Sequence, residues 1–393
     1  MRIFLASLSS ANTVALGSSR IWYINFDLTL EQMDIRLLLP SFDVSEQHLA
    51  CVYGRSDRTP GELRAYYSGR LWEDVQRAHR AEGIDLFFSY YYSASVDPGV
   101  IDRIRGLGIP TVNFYCNSIH QFHLVEEIAP HFDYCMFPER EAEPKYLAVG
   151  ANPVHIQMAA NPRFYKPYPV PRDYAVTFVG QKYLNREEYV RYLFANGVDV
   201  RVWGAGWQRQ GDPQAELSPY MRARRLIYTL WRRFRGRQCP QNLLKLPQDM
   251  CGPPLSDEEL VKMYSRSLIS LGFSEVQDRV TGEIKRHIRL RDFEAPMSGA
   301  FYLVGYQEEL AEYYELGKEI VCYDDKQELL DKVSYYLNHE REAAQIRQAG
   351  LARARRDHTW ENRFRQLFEV IGLPCADQSS IHLPGRDRGG GWT

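Results

Sequence analysis

The chain has 393 residues, 45% hydrophobic and 25% charged, and its 48 basic and 50 acidic side chains leave a formal net charge of −2. That length exceeds one typical core and accommodates two, while the near balance of charge excludes a global pull toward nucleic acid or an anionic membrane. No stretch approaches the roughly 18–20 apolar residues of a spanning helix, and the apolar N-terminal run is too short for the core of a signal peptide.

In chain order, Arg2 to Leu8 reads as a buried strand, followed by a polar loop containing Gly17 and a helical pattern from about Arg20 to Met33. Ile35 to Leu39 is a second apolar run, stopped by Pro40. A strand, a loop, a helix and a strand within so short a span make a βαβ opening, and therefore a parallel sheet. Gly17 does not belong to a G-x-G-x-x-G pattern, so this loop is weak evidence for a dinucleotide. The alternation continues with a helix over 62–82, a strand over 85–90, a helix over 98–107 and a strand over 110–115. A polar segment containing His120 and His123 leads to a strand over 134–137, a short helix over 141–149 and an extended run over 154–158.

The Pro- and Tyr-dense segment NPRFYKPYPVPRDY reads as a linker and sets a boundary near Arg172. Beyond it the pattern restarts with a strand over 175–179, a helix over 186–196 and a strand over 199–203. A basic stretch intervenes, followed by a helix over 257–265 and a strand over 268–273. The stretch Glu283–Gly305 then joins a basic loop to a short helix, a small-residue turn at Ser298 and Gly299, and a buried strand. A strand over 320–323 and three helices, over 325–337, 340–356 and 360–371, close this half. The chain thus predicts an α/β protein with residues 1–172 and 173–372 as two Rossmann-like domains facing across a cleft, and a disordered tail over 373–393.

The seven cysteines are dispersed, without a C-x-x-C pair or zinc-ligand spacing. Such a set fits free thiols in a reducing cytosol, so a cytoplasmic location is expected.

The second half resembles the CgeB-like, spore-maturation type of glycosyltransferase, within the wider GT-B group. The resemblance rests on FVGQKYLNR (Phe178–Arg186), VRVWGAGW (Val200–Trp207), RDFEAPMSGAFYLV (Arg291–Val304), the run from LGKEIVCYDD onward and HTWENR (His358–Arg363). The first half matches only loosely, around Trp22, Asn25 and His120. The resemblance implies a GT-B fold whose second domain holds a nucleotide-sugar donor and whose first holds the acceptor. It also implies that no metal and no cofactor beyond the nucleoside-diphosphate sugar co-substrate is required. The paired acids Asp324 and Asp325 do not form a D-x-D motif and read as a helix start.

Without a metal, a leaving diphosphate needs cationic side chains and a helix N-terminus. Gly180, Lys182 and Arg186 follow the first strand of the second half, at the carboxyl edge where open α/β sheets bind ligands. Lys285, Arg289 and Arg291 precede the helix that carries Glu294, and Gly299 turns the chain out of that helix. Glu294 is expected to accept hydrogen bonds from ribose hydroxyls, as the corresponding residue of the resembling family does. Arg186 and Arg291 are the first choices for phosphate. Many retaining members of the wider group carry an acid eight positions before this glutamate, where this chain has Arg286, so retention or inversion stays open.

For removing the acceptor proton, His120 and His123 are the candidates, with Glu126 and Glu127 in reserve. The acceptor could be a glycan, a lipid-linked sugar, a natural product or a protein. A basic amphipathic segment over 218–237 reads as a peripheral membrane contact or as a helix packed on its own domain; nucleic acid is disfavoured. The leading expectation is a glycosyltransferase of hexosyltransferase type. A nucleotide-sugar epimerase of the same fold and a non-catalytic binding protein are the alternatives.

Overall fold

The computed structural model describes residues 1–8, 20–53, 58–208, 246–278 and 280–374. The basic segment 218–237, Gly17 and the tail beyond residue 374 lie outside the described residues. The central apolar runs become strands buried on both faces, as in parallel sheets generally, while the edge strands stay partly exposed. In the first half these are β1 (Arg2–Ala6), β2 (Arg36–Leu38), β3 (Leu86–Ser89), β4 (Thr111–Phe114), β5 (Tyr134–Phe137) and β6 (Pro153–His155). They pair in the order β2-β1-β3-β4-β5-β6, with every pairing parallel.

The second sheet uses β7 (Tyr174–Val179), β8 (Val200–Trp203), β9 (Cys251–Gly252), β10 (Ser267–Gly272), β13 (Tyr302–Gly305) and β14 (Val321–Tyr323). Its order is β14-β13-β10-β7-β8-β9, again parallel throughout. The chain leaves β7 toward β8 and later returns to its other side at β10, so the carboxyl ends of β7 and β10 flank a topological switch point. The expected basic loop is partly a strand: β11 (Glu275–Gln277) and β12 (Ile284–Arg286) form an antiparallel hairpin, with Glu275 opposite Arg286.

Two departures from the expected elements have a physical cause. The helix Val44–Tyr53 carries no helical apolar stripe, because Ser45, Gln47 and His48 are among its buried residues. The last helix, Trp360–Val370, does not close the second half but crosses back to cover the first sheet. Its fully buried Trp360, Phe364, Leu367 and Phe368 make one apolar face. Trp360 meets Phe26 at 4.9 Å between ring centroids and Phe364 meets Phe88 at 5.7 Å. The Arg363 Nε donates to the Gln157 carbonyl at 2.9 Å, fastening the crossing. The five cysteines among the described residues are free and buried. Among those residues no helix is long and apolar enough to cross a membrane.

Candidate active site

The carboxyl end of β7 delivers Gly180, and the helix Arg186–Ala195 begins six residues later. Its first residue folds back over the sheet. The Arg186 guanidinium lies 5.4 Å from the Phe178 ring of β7 and 5.9 Å from the ring of Phe273, which follows β10. It also donates to the Gln181 carbonyl at 2.9 Å. Arg186 therefore spans the switch point, stacked on aromatic faces that tolerate a cation.

Arg289 and Arg291 enter from the other side, through the turn that follows β12. The Arg291 Nε donates to the Tyr264 hydroxyl at 3.1 Å, and its guanidinium rests against Gly180. A Cβ at position 180 would sit 2.9 Å from that guanidinium and 2.6 Å from the Phe178 ring, so only glycine leaves the space. The Arg289 side chain donates to the Glu275 carbonyl, while its Nε is buried without a partner.

These three guanidinium groups feel one another. Burial pushes Arg186 well below its ordinary value, and Arg289 and Arg291 push it further the same way. Arg289 is likewise lowered, by burial first and then by Arg291 against the pull of Asp292. Burial opposes the charge on Arg291 too, but Tyr264 and Glu294 outweigh it and raise the group. Among the described residues none of the three makes an ion pair with a carboxylate. Gathering like charges at a half-buried place with Asp292 and Glu294 near but in no direct ion pair is unfavourable, and such a site is a candidate for completion by an anion.

The helix Arg291–Met297 supplies less than expected. Its first turn already holds an acid: Asp292 accepts from the Arg289 amide at 2.8 Å and from the Tyr302 hydroxyl at 2.7 Å. Cationic side chains, and not helix amides, therefore dominate the anion chemistry here. Glu294, two residues on in the same turn, is 2% exposed. Burial pushes its carboxyl up to about 7, against the Tyr165 hydroxyl bond and the nearby Arg291. Its Oε1 has no hydrogen-bond partner. A buried carboxylate with one oxygen held and the other open can take a pair of hydroxyls. Gly299, at φ 73° and closing the helix, packs against Pro167 of the linker.

Other anticipated residues stand apart from this cluster. Lys182 is paired with Glu187 at 2.8 Å, and Lys285 lies 3.7 Å from Glu283. Arg286 is held by Asp324 at 3.4 Å and by Glu275 at 3.6 Å, so it is neutralised where an acid was looked for. Asp325 caps the helix Lys326–Asn338 by accepting from the Gln327 and Glu328 amides. Among the described residues no group of three His, Cys, Asp or Glu side chains gathers in a way that could hold a metal.

On the first half, His120 lies in the short helix Ser118–Gln121 beyond β4 and is buried. His123 is exposed, as is Glu126, and Glu127 is bound to Arg64 at 2.8 Å on the surface. The ring of His120 faces that of His287, from the second half, at 5.8 Å. Four residues that the sequence did not single out contribute here: Tyr165, Tyr264, Glu139 and His287. Tyr165 sits in the segment read as a linker. Tyr264 is indistinguishable in sequence from a core aromatic on its helix. Glu139 and His287 stand far apart in sequence, and only the meeting of the two halves gives them a role.

Residues 186–369 match the family described as glycosyl transferase-like. The fold is that of GT-B glycosyltransferase structures. Sucrose-phosphate synthase from Thermosynechococcus elongatus aligns over 94% of this chain and 98% of its own, with a TM-score of 0.57 at 14% identity. A glycosyltransferase from Rickettsia africae covers 94% and 97%, with a TM-score of 0.56 at 10% identity. HepE from Anabaena, in complex with UDP and glucose, covers 94% and 99%, with a TM-score of 0.55 at 12% identity. Among curated proteins no sequence matches the chain.

Proposed function

We propose that this chain, which has the GT-B fold and a glycosyl transferase-like second half, moves a sugar from a nucleoside-diphosphate donor to an acceptor hydroxyl. The observation that carries this reading is the convergence of Arg186, Arg289 and Arg291 at the switch point of the second sheet, with Phe178 and Phe273 under Arg186, Arg291 against Gly180, and no direct ion pair to a carboxylate among the described residues. A diphosphate supplies the negative charge with which the three could pair directly. As the glycosidic bond breaks, charge accumulates on the leaving diphosphate, and preorganised guanidinium groups stabilise that charge more than they stabilise the ground state. They meet it without a metal.

Glu294 fits the ribose. Its open Oε1 and its tie to Tyr165 match a group that accepts from hydroxyls when the nucleotide arrives. HepE holds UDP-glucose on the same fold, which supports a donor of this class for the present chain. The CgeB-like motifs provide the cluster itself: Phe178, Gly180 and Arg186 come from one, Arg291 and Glu294 from another. We place the enzyme in the cytoplasm, in keeping with its buried free thiols.

The test is a thermal-shift and calorimetric screen across nucleoside diphosphates and their sugars. At least one diphosphate should bind, and Arg289→Ala and Arg291→Ala should each lose most of that binding. Unchanged binding by both variants, or no binding at all by the unmodified protein, would overturn the reading. A donor consumed with an acceptor required distinguishes a transferase from an epimerase.

A further inference from the structure

Glu139 follows β5 in the first half and is 4% exposed. Its Oε2 accepts from the amides of Ser118 at 2.6 Å and Ile119 at 3.2 Å. It thereby fixes the start of the turn that carries His120. The same turn is held from outside by Lys145, whose Nζ donates to the Ser118 and Ile119 carbonyls at 3.2 and 2.8 Å. The other carboxyl oxygen, Oε1, is buried without a hydrogen-bond partner.

Facing it across the boundary between the halves is His287, 5% exposed, which follows β12 and lies two residues before Arg289. Both of its ring nitrogens lack a hydrogen-bond partner. Its Nδ1 is 3.5 Å from the Glu139 Oε1. Two orphaned polar atoms, one from each half, thus face each other slightly beyond bonding distance. The remaining ring nitrogen, Nε2, belongs to an imidazole that feels the Arg289 and Arg186 charges directly.

We propose that Glu139 and His287 form a proton-sharing couple between the two halves, and that His287 is a fourth cationic contributor to the diphosphate site, charged when the diphosphate arrives. This rests on the diphosphate reading above. The proton moves from Glu139 Oε1 to His287 Nδ1, leaving a carboxylate on one half and an imidazolium on the other, with no net uptake. Nε2–H then donates toward the diphosphate. Until the anion is present the two arginines forbid this charge; once the anion neutralises them, the penalty disappears.

The electrostatics of the protein alone agree. Burial pushes the Glu139 carboxyl up to about 8, against its two amide bonds, Lys145 and Arg289, so it keeps its proton at neutral pH. His287 is held well below its ordinary value by burial, then by Arg289, His120 and Arg186, so it is neutral. The remaining titratable groups that feel Glu139, namely Tyr115, Cys116 and Tyr146, are raised by burial and stay uncharged. The couple therefore enters binding with one carboxyl proton to transfer.

The experiment is calorimetric UDP binding by the full chain and by Glu139→Gln and His287→Gln. Each substitution should weaken binding roughly ten- to a hundredfold. The sign for Glu139→Gln is decisive, because removing a simple carboxylate near an anion site would tighten binding. In the unmodified protein the affinity should hold to about pH 8 and fall above it, as the couple loses its proton before ligand arrives. This pH profile keeps the test valid should either variant fail to fold. Unchanged or tighter binding by Glu139→Gln, or an affinity flat from about pH 7 to about pH 9, overturns the couple alone. Absence of binding by every nucleoside diphosphate of the screen, UDP included, and by pyrophosphate in the unmodified protein overturns the diphosphate reading and the couple with it.

Discussion

Both sheets are six-stranded and parallel, but their carboxyl edges differ in nearly everything else. Beyond β1, β3 and β4, the first edge is filled by aromatic side chains. Trp22 meets Tyr90 at 5.2 Å, Tyr90 meets Tyr115 at 5.9 Å, and Tyr92 meets Tyr115 at 5.4 Å. The helix Trp360–Val370 then packs on this same sheet. Beyond β7 and β10, the second edge is lined by Arg186, Arg289 and Arg291 on a thin aromatic floor of Phe178 and Phe273. The first edge is built as core, where edge-to-face rings and apolar burial supply stability. The second is built at a cost in stability, since like charges oppose one another there. One fold thus carries a stable face and a strained one, and the strained one has the chemistry of a site.

This contrast can be broken most forcefully at the first edge. Trp360→Ala should cost about 3–5 kcal/mol of unfolding free energy, because it deletes a fully buried indole packed on Phe26, Trp22 and Phe114. Chemical denaturation measures it, and a loss under about 1 kcal/mol would mean that the helix is not part of the first core.

The second edge should respond to pH. An acid raised from 4.5 to about 7 holds its proton more tightly when folded. Its favourable contribution is therefore complete below about pH 4.5 and is lost as pH rises toward 7. Glu294→Gln should remove on the order of 3 kcal/mol of that pH dependence, with the variant's advantage over the parent smallest below about pH 4 and largest above about pH 7. Parallel stability–pH curves for the two proteins would contradict the burial of an ionising carboxyl at this place.

Arg186→Met should separate stability from binding. Removing one of three mutually repelling cations should leave the melting temperature unchanged or higher, while weakening diphosphate binding by about 1.5–3 kcal/mol. A fall in both would mean that Arg186 is a structural arginine. The smallest effect is expected at the surface pair Arg140–Glu312, which joins the two halves at 2.7 Å with both side chains about half exposed. Its removal by Arg140→Ala should change stability by less than about 1 kcal/mol, read from the denaturation midpoint.

Much of this could be read in the sequence at the level of elements. The apolar runs RIFLA, LFFS and YAVTFV could only be buried parallel strands once helices alternated with them. Arg291 and Glu294 stood out because an arginine and an acid three residues apart open a short helix before a buried strand. The hairpin of β11 and β12 was harder to see, since IKR is too short for a period of two to register.

What the sequence determined by itself was the alternation of elements and the loop ends where cations accumulate, because these depend on neighbours a few residues apart. Only the tertiary structure decided which cations share a site. Lys182 found Glu187 and Arg286 found Asp324, while Arg186, Arg289 and Arg291 found one another. It also brought Glu139 to His287 and carried the last helix back onto the first sheet. Those outcomes depend on burial and on distances through space, between residues far apart along the chain.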